Sequence, residues 1–173
     1  MYKLRIKTVL LLLLIVVACH AGQKTITCKD ALAQPNQWIA FRRDINVDKL
    51  PQHALAKIAV DSKYWLWVNG KMVIFEGELK RGPNPKDSYF DEVDIAPYLR
   101  KGENKIALLL WYFGKSGFSH NDSKCAQLFF DCPTLGVKSD DNWLCRIHPA
   151  YGIADCPQPN YRLSESSIRF DAR

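Results

Sequence analysis

Apolar residues recur with period two along much of the chain. Residues 54–61 place Ala56, Ile58 and Val60 on one face, and two apolar runs, YWLWV (64–68) and KMVIF (71–75), meet at Asn69-Gly70. Alternation of this kind marks a half-buried strand. Asn-Gly between two such runs predicts a hairpin closed by a type I′ turn, because both residues accept the positive φ the turn requires. A first strand is predicted at 38–42, and later ones at 93–95, 105–113 and 126–131. The 105–113 run has almost no polar break, as expected of a central strand covered on both faces. A short turn at 96–99, ended by Gly102-Glu103-Asn104, precedes it. Residues 79–88 (LKRGPNPKDS) interrupt the pattern with Gly82, Pro83 and Pro85, which predicts a long irregular loop of the sort that carries ligand contacts on a rigid sheet. No amphipathic helical period and no internal repeat is present. The predicted class is all-β, an antiparallel β-sandwich or jelly-roll of the galactose-binding-domain-like kind.

The start of the chain follows a different rule. Lys3, Arg5 and Lys7 precede an apolar run at 9–17 and then small residues, the layout of a secretory signal peptide. That run is about half the roughly 20 residues a membrane span needs, so a cleaved leader is expected rather than an anchor helix. Val16-Val17-Ala18-Cys19 resembles a bacterial lipobox, which implies a signal peptide at 1–18 and a lipid on Cys19. Ordinary cleavage after Ala21 is the alternative. Either way the protein is expected to be exported to the periplasm or cell surface, with membrane contact only through a lipid anchor. Residues 19–35 read as a polar lead-in, 36–160 as the sandwich, and 161–173 as the start of a connection to a further domain.

A length of 173 residues with 47% hydrophobic side chains and five tryptophans accommodates one well-buried domain. The formal charge of +6 shrinks once the leader is set aside, because 21 of the 24 basic residues then face 18 acidic ones. The basic residues are scattered among Asp and Glu, so no nucleic-acid partner is expected. Five cysteines follow Cys19: Cys28, Cys125, Cys132, Cys145 and Cys156. An exported chain permits disulfides, and the four late cysteines can pair in three ways. His20, His53, His120 and His148 are isolated, and no C-x₂-C or H-x₃-H spacing occurs, so neither a metal nor any other cofactor is expected.

The hairpin phrase VNGK, the later GEN turn and the apolar strand after it are shared by sugar-binding modules of many glycosidases. Four longer phrases narrow the resemblance: DSKYWLWVNGK (61–71), KRGPNP (80–85), WYFGKSGFSH (111–120) and PNYRLSES (159–166). With them, residues 36–173 resemble the N-terminal β-sandwich of bacterial α-L-rhamnosidases. That resemblance implies an accessory domain, since the family's chemistry resides in an α/α six-hairpin barrel that follows its sandwiches. No catalytic residue is therefore expected here. Glu76 with Glu78, or Asp91 with Asp94, are the carboxylate pairs nearest to a glycosidase arrangement, which needs two carboxyl groups about 5 to 9.5 Å apart. They are read instead as charges along a sheet edge. No G-x-S-x-G elbow or cysteine-hydrolase signature accompanies Ser119, His120 and His148.

Binding is the remaining function. Aromatic faces stack on the apolar faces of sugars while polar side chains satisfy hydroxyls. Arg81, Asn84, Asp87 and Tyr89 lie in or beside the proline-rich loop, and Phe118, Ser119 and His120 lie in the loop after the central strand. If both loops leave one end of the sandwich, they form one site for carbohydrate, rhamnose-containing glycans among the candidates, or complete the pocket of a following catalytic domain. A stand-alone surface lipoprotein that binds glycans without cleaving them is the second reading. Trp65, Trp67, Trp111 and Tyr112 are expected in the core.

Overall fold

The computed structural model describes residues 24–31, 34–77, 89–117, 120–154 and 168–173. Its strands are β1 (Gln37–Val47), β2 (Leu55–Val60), β3 (Lys63–Val68), β4 (Lys71–Gly77), β5 (Asp91–Asp94), β6 (Gly102–Tyr112), β7 (Leu128–Cys132), β8 (Val137–Lys138), β9 (Leu144–Ile147), β10 (Tyr151–Ile153) and β11 (Ile168–Phe170). One sheet runs β4-β3-β6-β1-β9 and the other β5-β2-β7-β8. Every pairing is antiparallel. The fold is an all-β sandwich.

Alternation sets which side chains meet between the sheets. Ile39 and Phe41 of β1, Tyr64, Leu66 and Val68 of β3, and Ile106, Leu108 and Leu110 of β6 face Ala56, Ile58 and Val60 of β2 and Leu128 and Phe130 of β7 in one core. Burying each large apolar side chain contributes about 1.5–3 kcal/mol, which makes this layer the main source of stability. β6 is central, pairing with β1 from Gln37↔Tyr112 to Val47↔Gly102 and with β3 on its other side.

The Asn69-Gly70 turn has φ of 53° and 78°, as a type I′ hairpin requires. It is tied to the turn before β6. Asn69 Nδ2 donates to the Tyr98 carbonyl (2.9 Å) and to Asn104 Oδ1 (2.8 Å), while its Oδ1 accepts the Lys105 N–H at 3.0 Å. Buried Asn104 donates to the carbonyls of Arg100 and Gly102 and accepts the Arg100 N–H. The NG and GEN phrases therefore build one polar lock, which fastens β3, β6 and the short 3₁₀ turn Ala96–Tyr98 at one end of the sandwich.

Segments on both sides of the predicted sandwich also join it. The 19–35 lead-in is built into the fold where it is described: Ile26 exchanges both backbone hydrogen bonds with Leu128, and Cys28 is buried in the core. Residues 168–170, expected to open a connection, pair with β10. The resulting β10–β11 ribbon lies on the outer face of the larger sheet, where Tyr151 and Ile168 pack against Trp38, Trp111 and Phe113.

Candidate functional site

The end of the sandwich opposite the asparagine lock collects the loops. Lys63 pairs with Trp111, Tyr64 with Gly77, Ile58 with Asp91 and Val60 with Leu128. The ends of β2, β4 and β6 and the starts of β3, β5 and β7 therefore lie together. Gly77 and Tyr89, which bracket residues 78–88, share this end with the 113–127 loop. The described residues that flank the two loops, Gly77 and Tyr89 on one and Tyr112 and Leu128 on the other, therefore stand at the same end.

The described part of the 113–127 loop is held from below. Asp61 and Ser62 form the tight connection between β2 and β3, with Ser62 at φ 103°. Ser62 Oγ accepts the Phe113 N–H at 3.0 Å and lies 3.4 Å from His120 Nε2. The Asp61 carboxylate accepts the Ser123 N–H at 3.2 Å. Tyr112 donates its hydroxyl proton to Asp122 Oδ1 at 2.9 Å, and the same oxygen accepts the Lys124 N–H at 2.8 Å. Burial, followed by this bond to Asp122, pushes the Tyr112 pKa upward, so the phenol stays a proton donor at every ordinary pH.

His120 is 5% exposed, with its ring edge-on to Phe113 at 5.4 Å, and forms the inner wall of the loop. Tyr89 is 61% exposed, and Phe90 beside it is 45% exposed with Lys57 Nζ 5.0 Å above its ring. Arg81, Asn84, Asp87, Phe118 and Ser119 lie outside the described residues, as does Cys19. Phe90 and Lys57 escaped the sequence reading. Phe90 could have been found from its place beside Tyr89, whereas Lys57 comes from β2, far away along the chain.

The carboxylates considered as acids have other partners. Lys63 Nζ lies 3.0 Å from Glu76, Asp91 accepts the Tyr64 hydroxyl at 2.6 Å, and Asp94 accepts N–H groups of Ala54 and Ala96. Glu78 lies outside the described residues. Among the described residues no group of His, Cys, Asp or Glu is arranged to hold a metal ion, and no helix is long and apolar enough to cross a membrane.

The tryptophans depart from expectation in a useful way. Tyr112 is in the core between the sheets, but Trp65 and Trp67 point to the outer face and are half-buried there. Trp111 is buried in a second cluster on that same outer face. Trp38 stacks on Trp65 (5.2 Å), Trp111 (4.7 Å) and Tyr151 (4.0 Å), and Trp111 meets Phe113, which meets His120. An aromatic row thus runs across the outer face beside the loops, ending at Phe75, 69% exposed, next to Trp65.

Comparison with solved structures gives this sandwich a context. A GH78 family rhamnosidase of Bacillus sp. GL1 superposes with a TM-score of 0.63 and 26% identity over 75% of this chain. The chain resembles part of a rhamnosidase. This rhamnosidase-like sandwich spans only 14% of the Bacillus chain. The α-L-rhamnosidase of Aspergillus terreus shares the fold at TM-score 0.55 and 18% identity, over 75% of this chain and 17% of its own. That of Streptomyces avermitilis, solved with L-rhamnose, shares it at 0.51 and 19%, over 78% of this chain and 13% of its own. No protein-family model matches the chain, and no curated protein matches it significantly.

Proposed function

We propose that this chain is the accessory β-sandwich of an exported α-L-rhamnosidase-like glycoside hydrolase, and that its loop end contacts carbohydrate. The observation that carries this reading is the likeness of three quarters of the chain, at 26% identity, to a small part of a rhamnosidase. Chemistry at the loop end supports it: exposed Tyr89 and Phe90 offer flat apolar faces, Lys57 stands over one of them, and Arg81, Asn84 and Asp87 precede them in the chain. Sugars are bound by this pairing of aromatic faces with polar groups. The chemistry of cleavage belongs, in this reading, to a barrel domain outside the 173 residues.

The test is titration of rhamnose-containing polysaccharide and of free L-rhamnose into the purified chain, followed calorimetrically. Replacing Tyr89 and Phe90 together by alanine should weaken binding at least tenfold while the melting temperature holds. Equal affinity in the double variant removes these residues from the site. Antibody detection of a much larger polypeptide outside the cytoplasm of the source cell would support the accessory role, and a cytoplasmic chain of this size would contradict it.

A further inference from the structure

Cys28 and Cys145 are remote in sequence and adjacent in space. Cys28 follows the Ile26–Leu128 bridge and is buried. Cys145 sits on β9, the edge strand of the larger sheet, opposite Phe41 of β1. Both line one cleft of about 360 Å³ together with Phe41, Trp143, Asp140 and Asp141. Both are free thiols, and Cys28 is, after desolvation, the largest cause of the raised Cys145 pKa. Among the described strands β9 pairs with β1 alone, and all four of its residues are exposed.

We propose that Cys28 and Cys145 form a disulfide that staples the N-terminal segment to β9 across the open side of the sandwich. A disulfide requires the two sulfurs to reach a separation of about 2.05 Å, an adjustment that the exposed edge strand β9 can make. The oxidant is a small-molecule or protein disulfide. The Cys145 thiolate attacks it and expels one thiolate. The Cys28 thiolate then attacks Cys145 Sγ and expels the second, so two protein thiols become one disulfide and the oxidant becomes two thiols. Desolvation, then the contact with Cys28, push the Cys145 pKa up to about 11, so bond formation should accelerate with pH through the neutral and mildly alkaline range. This pairing draws in Cys28, which lay outside the three pairings open to the late cysteines.

The test is to treat the folded full chain with oxidised glutathione, block remaining thiols, digest with trypsin and map the products by mass spectrometry. A peptide joining Cys28 to Cys145, a loss of two mass units, and a rise in melting temperature of about 10 °C are expected. Cys145→Ser should lose all three while melting like the reduced wild type. Alkylation of both cysteines after oxidation, stable glutathione on Cys145, or Cys28 joined to any other cysteine overturns the proposal. Because the wild-type map alone decides the pairing, failure of a variant to fold would not obscure the result.

Discussion

The carboxamide of Asn104 makes four hydrogen bonds while 1% exposed, two to carbonyls, one to the Arg100 N–H and one to Asn69. Alanine there would strand those partners without water. Removing one partner of a buried hydrogen bond costs about 1–3 kcal/mol, so Asn104→Ala should destabilise by about 2–3 kcal/mol, read from the urea midpoint. Asp94 makes a pH-dependent contribution. Hydrogen bonds from the Ala54 N–H, then His53, then the Ala96 N–H lower its pKa from 3.8 to about 2. A carboxyl that is more acidic folded than unfolded stabilises fully above its unfolded pKa, and that contribution disappears as pH falls from about 4 through 2. Asp94→Asn should flatten the decline of stability over that window relative to the wild type, as measured by urea melts at each pH.

Strand β4 shows how an element depends on one missing side chain. Glu76 takes φ of 55°, the pairing with β3 shifts register, and Gly77 lies flat against the Tyr64 ring. A Cβ at Gly77 would run into that ring, which is wholly buried and bonded to Asp91. Gly77→Ala should therefore cost at least about 1–3 kcal/mol, the usual range for overpacking, and the added loss should shrink when Tyr64 is also replaced by alanine, which removes the ring. A loss unaffected by the second change would place the strain elsewhere. Strands β1 to β7 were readable because alternation and turn chemistry agree along them. β8 to β11 were not: they are two to four residues long, and LCRI or YGI carries no alternation, so β1 and the outer tryptophans impose their pairing. The outward turn of Trp65 and Trp67 was hidden for a related reason. Both phases of YWLWV are apolar, and periodicity cannot say which phase faces inward.

At the scale of the molecule, the sequence located both loops of the candidate site but not their common end, which follows from sheet pairing between segments far apart in the chain. The staple proposed for Cys28 and Cys145 would close a loop of roughly 120 residues, for which loop-entropy arguments give about 4–5 kcal/mol before any strain is subtracted. The segment that carries Cys28 is tied to the start of β7 through Ile26–Leu128 and to the 113–127 loop through Thr27 and Ala126, so oxidation should raise stability and steady that loop together.

The asparagine lock and the loop end stand at opposite ends of β6, about 33 Å apart for a strand of this length. VNGK and GEN, the phrases shared with sugar-binding modules of many glycosidases, therefore maintain the scaffold at one pole, while the loops proposed to contact carbohydrate belong to the other. Under the proposed function, a lineage could exchange its glycan for another by rewriting the loop pole, KRGPNP and WYFGKSGFSH included, and leave VNGK and GEN intact, so kinship read from those two phrases foretells shape and is silent on taste.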